Sequence, residues 1–566
     1  LMMKYDGQAV LERINELIAR TRRVGTNVTL YTGPELGRLA ESVGQRNIFG
    51  GHNWDTRVTN RSARYTIVLG SDKVATRNPS LDMLASMDKD LTRVFGGEHD
   101  GKEYPGHASQ LPIDFAHRVM GSGEDPDFTF NCNMLVTTKN RANHHIAYMW
   151  GKMCREVDPV EGADNLYMLM VPDINTGNFG RFYCMPEYNV TIGIGSDYMG
   201  EAKKGMLRMA MYRAKDKGIL GVHAASKLVK VFNVTAAKLE RLGVVIFGNS
   251  GTGKTTNIGH SHYLDMEGEQ ALVVQDDFCG LRLKDGRILG TEQAMFLKTD
   301  LDDDDILLRP MTESSDFSSQ NLYIDHNGHV QYLEEDLCAN GRGILPLRTL
   351  PRERRFDSID LPPLEEMDGI CLILITRRNT VVPIMQKLTL EQCAAYFMLG
   401  ESIETAAGDP TRAGQSIRVV GTNPFIVGDP GEEGNMFYEY LKRYEGKVRC
   451  FLMNTGGIGE IPNPEKPGSP LRPCNRPWKN GIGYITRAVL RDSAVWSEYP
   501  DFGTKVVTGG VYDEHGNIFD MDRFDPTRCY DVTTREEMVR QLNRERVEYL
   551  EQFPNLNPQI REAIKT

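Results

Sequence analysis

The sequence predicts an α/β protein of two domains, with the carboxyl-terminal domain built around a phosphate-binding loop of the mononucleotide type. Three observations carry this expectation. The apolar run Val244-Val245-Ile246-Phe247 leads directly into Gly248-Asn249-Ser250-Gly251-Thr252-Gly253-Lys254-Thr255-Thr256. Further continuous apolar runs follow, as strands covered on both faces require. A chain of 566 residues also exceeds what one simple core organises.

From the amino terminus, Val10, Ile14, Leu17 and Ile18 fall on one face of a helix. Residues Arg64–Leu69 read as a strand, and 78–127, rich in Gly, Pro, Asp and Lys, as long connections. Leu166–Val171 is a second strand. In the carboxyl half, strands are expected at Ala271–Val274, Ile370–Ile375 and Val448–Met453. A last helix is expected to start at the capping box Thr533-x-x-Glu536 and to reach about Leu550. The segment 455–483 holds six prolines and six glycines, which suits an irregular flap at a site or a surface insertion. The carboxylate run Asp300–Asp305 reads as a solvated loop.

Composition narrows the function classes. Apolar residues at 40% and charged residues at 25% are those of a globular protein. A net charge of -11 argues against a general nucleic-acid surface, so any phosphate must be met by a local cluster of positive charge. There is no 18-residue apolar stretch, and Leu1-Met2-Met3-Lys4-Tyr5-Asp6 lacks a signal-peptide layout. Neither membrane spanning nor secretion is expected. Ten scattered cysteines without a C-x-x-C pair suggest reduced thiols in the cytoplasm rather than zinc or disulfides.

The loop carries its own chemistry. Glycines at 248, 251 and 253 let the backbone turn sharply and bring N–H groups to phosphate oxygens, at the start of a helix beginning near Thr255. Lys254 supplies a mobile charge for the terminal phosphates, and the Thr255 hydroxyl can ligate Mg²⁺. Asp276-Asp277, about twenty residues on at a strand end, offers hard oxygen ligands. Upstream stand Asp197-Tyr198-Met199-Gly200-Glu201-Ala202-Lys203-Lys204-Gly205-Met206 and Gly221-Val222-His223.

In this order, Y-x-G-E-x-K-K-G-M, V-H-x-x, G-x-S-G-T-G-K-T-T and D-D, the chain resembles the ATP-dependent phosphoenolpyruvate carboxykinases. These are two-domain enzymes that decarboxylate oxaloacetate and phosphorylate the resulting enolate. The resemblance implies a substrate-binding domain over 1–225 and a mononucleotide-binding domain over 226–566. In Asn60-Arg61-Ser62, Arg61 matches an arginine that holds the substrate carboxylate, and Tyr198 matches a substrate-contacting tyrosine. Lys204, His223 and Asp277 match the ligands of a catalytic Mn²⁺. Within the loop Gly248, Asn249, Ser250, Gly251, Thr252, Gly253, Lys254, Thr255 and Thr256, the matches are to ATP-phosphate and Mg²⁺ contacts. Glu292-x5-Lys298-Thr299 and Asn340-Gly341-Arg342-x3-Pro346 match segments whose Lys298 reaches phosphates and whose Arg342 bridges phosphate and substrate.

The chemistry is coherent on its own terms. A dianionic keto acid needs cations for its carboxylates, here Arg61 and Arg342. An enolate formed on decarboxylation needs a Lewis acid, and phosphoryl transfer needs Lys254, Lys298, Arg342 and Mg²⁺ to compensate charge. The expected reaction therefore interconverts oxaloacetate with phosphoenolpyruvate and CO2. The alternative is a kinase on the same scaffold acting on another carboxylate-bearing acceptor.

Past residue 350 the chain departs from the family pattern. Gly400-Glu401-Ser402-Ile403-Glu404 stands where the family has Gly-Phe-Thr-Ala-Lys. Lys479-Asn480 stands where it has a Lys-Arg pair ahead of the Thr-Arg seen here as Thr486-Arg487. These changes fall on the nucleotide side, so the donor is ATP on the resemblance, with pyrophosphate or another nucleotide as the alternative.

Overall fold

The computed structural model describes residues 4–58, 66–71, 74, 80–249, 251–303, 305–338, 340–404 and 412–564. In place of a single cut at 225/226, the division into two units is discontinuous. One unit comprises Leu1–Lys217, Thr291–Leu350 and Phe425–Asp429, the other Gly218–Gly290, Pro351–Pro424 and Pro430–Thr566. Strand pairing explains the return of 291–350 to the first unit. Ser318–Gln320 pairs in parallel with His52–Trp54, and Arg342–Pro346 and Ala294–Lys298 extend that sheet.

The first unit also contains a seven-stranded mixed sheet. Its spatial order is Val28–Leu30, Ile113–Met120, Phe130–Thr137, Asp164–Val171, Val190–Ile194, Arg181–Met185 and Thr66–Val68. The predicted strand at Leu166–Val171 is thus near its middle. Of the strand expected at Arg64–Leu69, Thr66–Val68 is observed, while Arg64 and Tyr65 lie outside the described residues. The first helix, Gly7–Arg20, starts where the Asp6 carboxylate accepts from Ala9 N. It buries Val10, Ile14 and Leu17 in the core of this unit, with Ile18 packed at the margin. Each such burial contributes about 1.5–3 kcal/mol.

The stretch 78–127 is more regular than its composition suggested. It holds the helix Leu81–Phe95, capped by Ser80, a short strand pair and the strand Ile113–Met120. Met87, Leu91 and Val94 form the buried stripe of that helix. Their helical spacing is diluted by the charged residues between them.

The second unit is a ten-stranded mixed sheet with a parallel centre of Lys238–Phe247, Gly369–Thr376 and Val448–Asn454. Every residue of Gly369–Thr376 is buried, as a central strand covered on both faces must be. The register pairs Phe247 with Leu374 and Thr376 with Asn454. One edge therefore collects the residues that follow these strands, Gly248, Arg377 and Thr455, at the carboxyl ends where open α/β sheets bind ligands. The predicted strand at Ala271–Val274 is Gln270–Gln275, antiparallel to Ile219–Asn233.

Two expectations in this unit need correction. The last helix, Val532–Leu550, begins at Asp531, whose side chain accepts from Thr534 N, and not at a Thr533 capping box. An acidic N-cap one residue before Val532 closes the helix start just as well. The Pro-rich segment is irregular as far as Pro477, folded on itself through bridges Ile458↔Asn475 and Ile461↔Arg472, and residues 478–483 already belong to the helix Trp478–Leu490. All ten cysteines are free thiols. Among the described residues no helix is long and apolar enough to cross a membrane.

Candidate active site

The strand Lys238–Phe247 delivers the phosphate loop, and the helix Lys254–Gly259 follows it. Gly251 and Gly253 take φ of 86° and 101°, left-handed conformations that disfavour any side chain. Carbonyl oxygens would repel a phosphate, and those of Asn249, Thr252 and Gly253 are engaged by protein donors. Thr252 Oγ1 donates to Asn249 O at 2.7 Å, Asn257 Nδ2 to Gly253 O at 2.8 Å and Thr455 Oγ1 to Thr252 O at 2.9 Å. Ser250 lies outside the described residues.

The short helix is held from below by Lys227. Its Nζ donates to Asn257 O at 3.1 Å and to His260 O at 2.5 Å, and sits 3.0 Å from His262 Nε2. These carbonyls are the orphan acceptors of a helix carboxyl end, which a buried cation-bearing side chain can satisfy. Burial, and then Arg354, push the Lys227 amine well below its usual pKa.

Asp276 and Asp277 form a two-residue connection between Gln270–Gln275 and Phe278–Arg282. Asp276 is buried, and its Oδ2 accepts from Thr255 Oγ1 at 3.3 Å. Asp277 has φ of 85°, a strain of about 1–3 kcal/mol for a residue with a side chain. The turn aims its Oδ1 at two partners, Lys254 Nζ at 2.8 Å and His223 Nε2 at 2.9 Å. His223 is fixed from the other side, with Nδ1 donating to Thr422 O at 2.5 Å, and its ring stacks on Phe278. Burial first, and then the charge of Lys254, lower the His223 pKa. With Nδ1 donating to Thr422 O, a neutral His223 would turn its Nε2 lone pair toward a carboxylate oxygen, so His223 and Asp277 are a pair that could hold a cation between them. Among the described residues no three His, Cys, Asp or Glu side chains gather as a metal-binding group, so these residue types supply a donor pair.

In the first unit, Lys298 and Arg342 are direct partners across an antiparallel ladder, and Gln320 faces Arg342 from the other side. Direct partners share a face of the sheet, so two residues forty-four positions apart become neighbours. Arg342 is buried, whereas Lys298 is partly exposed and lies 3.6 Å from Asp300. The Asn-Gly before Arg342 is explained by the turn. Asn340 has φ of 64°, and a Cβ at Gly341 would fall 2.0 Å from Thr299 Oγ1.

Tyr198 is the buried N-cap residue of the helix Met199–Lys215, which carries Lys203 and Lys204. The adjacent lysines have different fates. Lys203 is fully buried and paired with Glu292 at 3.2 Å, and Lys204 Nζ lies 5.5 Å from the centroid of the Phe425 ring. Asp197 accepts from Arg57 N at 2.9 Å and from Val58 N at 3.1 Å, which orders the chain just before the Arg61 segment. Arg61 itself lies outside the described residues.

The chain has counterparts among known proteins. The model of the phosphoenolpyruvate carboxykinase family, in its ATP-using form, matches residues 128–467, more than half of the chain. The chain belongs to this family. Curated carboxykinases show the same kinship at a distance. The phosphoenolpyruvate carboxykinase (ATP) of Aeropyrum pernix is 29% identical over 374 residues, 65% of this chain and 68% of that protein. The Bacillus mycoides enzyme is 25% identical over 48% of this chain and 47% of its own length. The glycosomal enzyme of Trypanosoma brucei brucei is 24% identical over 56% and 61%. The chain thus spans about half to two-thirds of the carboxykinases it matches.

Sequence reading missed two sets of residues in this carboxykinase fold. One is Arg377, whose Nη1 donates to Gly251 O at 3.3 Å, with Arg476, whose Nε donates to Thr455 O at 3.4 Å. An arginine pair one residue past the buried run Ile370–Ile375 was the available signal. The other is Glu401, at the first departure from the family pattern. It is a buried hub, bidentate to Arg546 at 2.8 and 3.0 Å and bonded to Arg418 at 3.1 Å. No local signal marks it, because Arg546 is 145 residues away in the chain.

Proposed function

We propose that the chain is a phosphoenolpyruvate carboxykinase, decarboxylating oxaloacetate and transferring a phosphoryl group from ATP to give phosphoenolpyruvate and CO2, reversibly. Its membership of the ATP-using family supports ATP as donor. The observation that carries the reading is the shared carboxylate oxygen of Asp277, which faces Lys254 and His223 at once. It ties the phosphate loop to a mixed carboxylate and imidazole donor pair of the kind that can hold a divalent cation, with Mn²⁺ assigned by the resemblance.

His223 and Asp277 would hold that Mn²⁺, with Lys204 assigned as third ligand by resemblance alone, and Thr255 and Asp276 would hold Mg²⁺. Bound there, the cations supply positive charge where decarboxylation and phosphoryl transfer develop negative charge. The protein's own groups do the rest. Lys254 lends its ammonium to the donor phosphates. Arg342 and Lys298, side by side on one sheet face, compensate phosphate charge, and Arg342 with Arg61 meets the carboxylates. Tyr198 contacts the substrate, while Ser250 and the backbone of Gly248, Asn249, Gly251, Thr252, Gly253 and Thr256 wrap the phosphates.

The test is direct. Purified protein with Mn²⁺, Mg²⁺ and oxaloacetate is supplied with ATP, GTP or pyrophosphate in parallel, and phosphoenolpyruvate is measured. Formation with ATP is expected. Absence of product with every donor overturns the reading, and product with pyrophosphate alone would change the donor.

A further inference from the structure

The rim of the phosphate loop carries two guanidinium groups, one from a central strand end and one from the Pro-rich segment that returns to Thr455. Arg377 follows Thr376, the last residue of one central strand, and donates to Gly251 O of the loop at 3.3 Å. Thr455 follows the neighbouring strand. Its N–H donates to Thr376 O at 3.0 Å and its hydroxyl to Thr252 O at 2.9 Å, and its own carbonyl accepts from Arg476 Nε at 3.4 Å. Both arginines are therefore hydrogen-bonded to the loop or to the residue that braces it.

Their electrostatic setting is unusual. Burial first, and then the charge of Arg476, lower the Arg377 pKa from its ordinary value. Among the described residues neither arginine makes an ion pair with a carboxylate, in contrast to Arg378, which lies 4.0 Å from Glu401. Two like charges held together at a phosphate loop without an acid are stabilised by an anion, and the guanidinium fork suits phosphate oxygens. The charge balance points the same way. Where the family pattern has a Lys-Arg pair, this chain has Lys479-Asn480 and is one cation short.

We propose that Arg377 and Arg476 form a second cationic lip for the polyphosphate chain of the donor, replacing the cation lost at Asn480. This rests on the donor occupying the loop, as proposed above. The lip recognises phosphates and not the base, so it serves ATP, ADP and inorganic pyrophosphate alike.

Calorimetric titration of the full-length protein with ATP, ADP, AMP and pyrophosphate, each with Mg²⁺, tests it. Arg377→Ala and Arg476→Ala are each expected to weaken ATP, ADP and pyrophosphate by about tenfold or more, the worth of one charge-assisted contact. AMP binding should change by less than about twofold, since a single phosphate lacks the chain the lip spans. Thermal melts establish that the variants are folded, and Arg377→Lys should recover part of the loss. Wild-type-like ATP and pyrophosphate affinities in both single variants and the double variant overturn the lip while leaving the carboxykinase reading intact. Equal losses for AMP and ATP also overturn it, since they would mark a contact to the nucleoside side. Failure of the unaltered protein to bind any polyphosphate overturns both.

Discussion

Lys254 and His223 share one oxygen of Asp277, at 2.8 Å and 2.9 Å. Three motifs spread over a span of 54 residues thus meet at a single atom. The carboxylate holds the loop lysine in an ion pair, and burial together with the charge of Lys254 lowers the pKa of the buried histidine.

Lys254→Ala should lower kcat/KM by at least about a hundredfold, the loss usual for a donor to developing transition-state charge. The loop backbone is braced by Thr252, Asn257 and Thr455, so the melting temperature should change little. Steady-state kinetics with a thermal melt check both parts, and near-normal turnover would remove Lys254 from phosphoryl transfer.

Asp277 offers a test that separates charge from backbone strain. Asn tolerates a positive φ while Ala does not, so Asp277→Asn should fold like the parent yet lose about a hundredfold in kcat/KM. Asp277→Ala should lose the same activity and in addition about 1 kcal/mol or more of stability. Equal chemical-denaturation midpoints for the two variants would contradict the role of the 85° φ.

Acid should destabilise the phosphate-loop unit through His260. Burial first, then Lys227, Arg354 and Lys479, hold its pKa at about 4 against an ordinary 6.5. Between these values the unfolded chain binds a proton that the folded chain refuses, so stability rises with pH and falls on acidification from 6.5 towards 4. Melting temperatures across that window should drop, and His260→Gln should flatten the slope.

Glu401→Gln should cost about 3–5 kcal/mol, because it strands the buried guanidinium of Arg546 beside Arg418 and Arg378. Burial alone would raise the Glu401 carboxyl, but Arg546, Arg378 and Arg418 together outweigh it and hold the group well below the carboxylate range. Its stabilisation is therefore present above the unfolded pKa of about 4.3 and is lost only in strong acid. Urea unfolding at pH 7 measures the difference.

Much of the second unit was legible in the chain because its central strands are continuous apolar runs ending at a motif with fixed backbone demands. Val244–Phe247, Ile370–Ile375 and Val448–Met453 each fall within an observed strand. The helix Leu81–Phe95 was hidden, since Gly, Pro and charge dominate the surrounding composition while three buried apolar residues carry the packing. The N-cap at Asp531 lies two residues before the expected Thr533, since both residue types cap helices and Asp is the better cap of the two.

By itself the sequence determined the phosphate loop, the residue types around it and their order, and these sufficed to suggest the carboxykinase family. Such features are local, since a glycine pattern and a lysine after it specify a backbone shape wherever they occur. Only the tertiary structure decided which of two adjacent lysines is buried against Glu292, that Lys298 stands opposite Arg342, and that Arg377 touches the loop. The first depends on which face of the helix Met199–Lys215 packs inward, and the other two on strand register, where a shift of one residue turns every side chain to the other face; both are set by packing between distant segments.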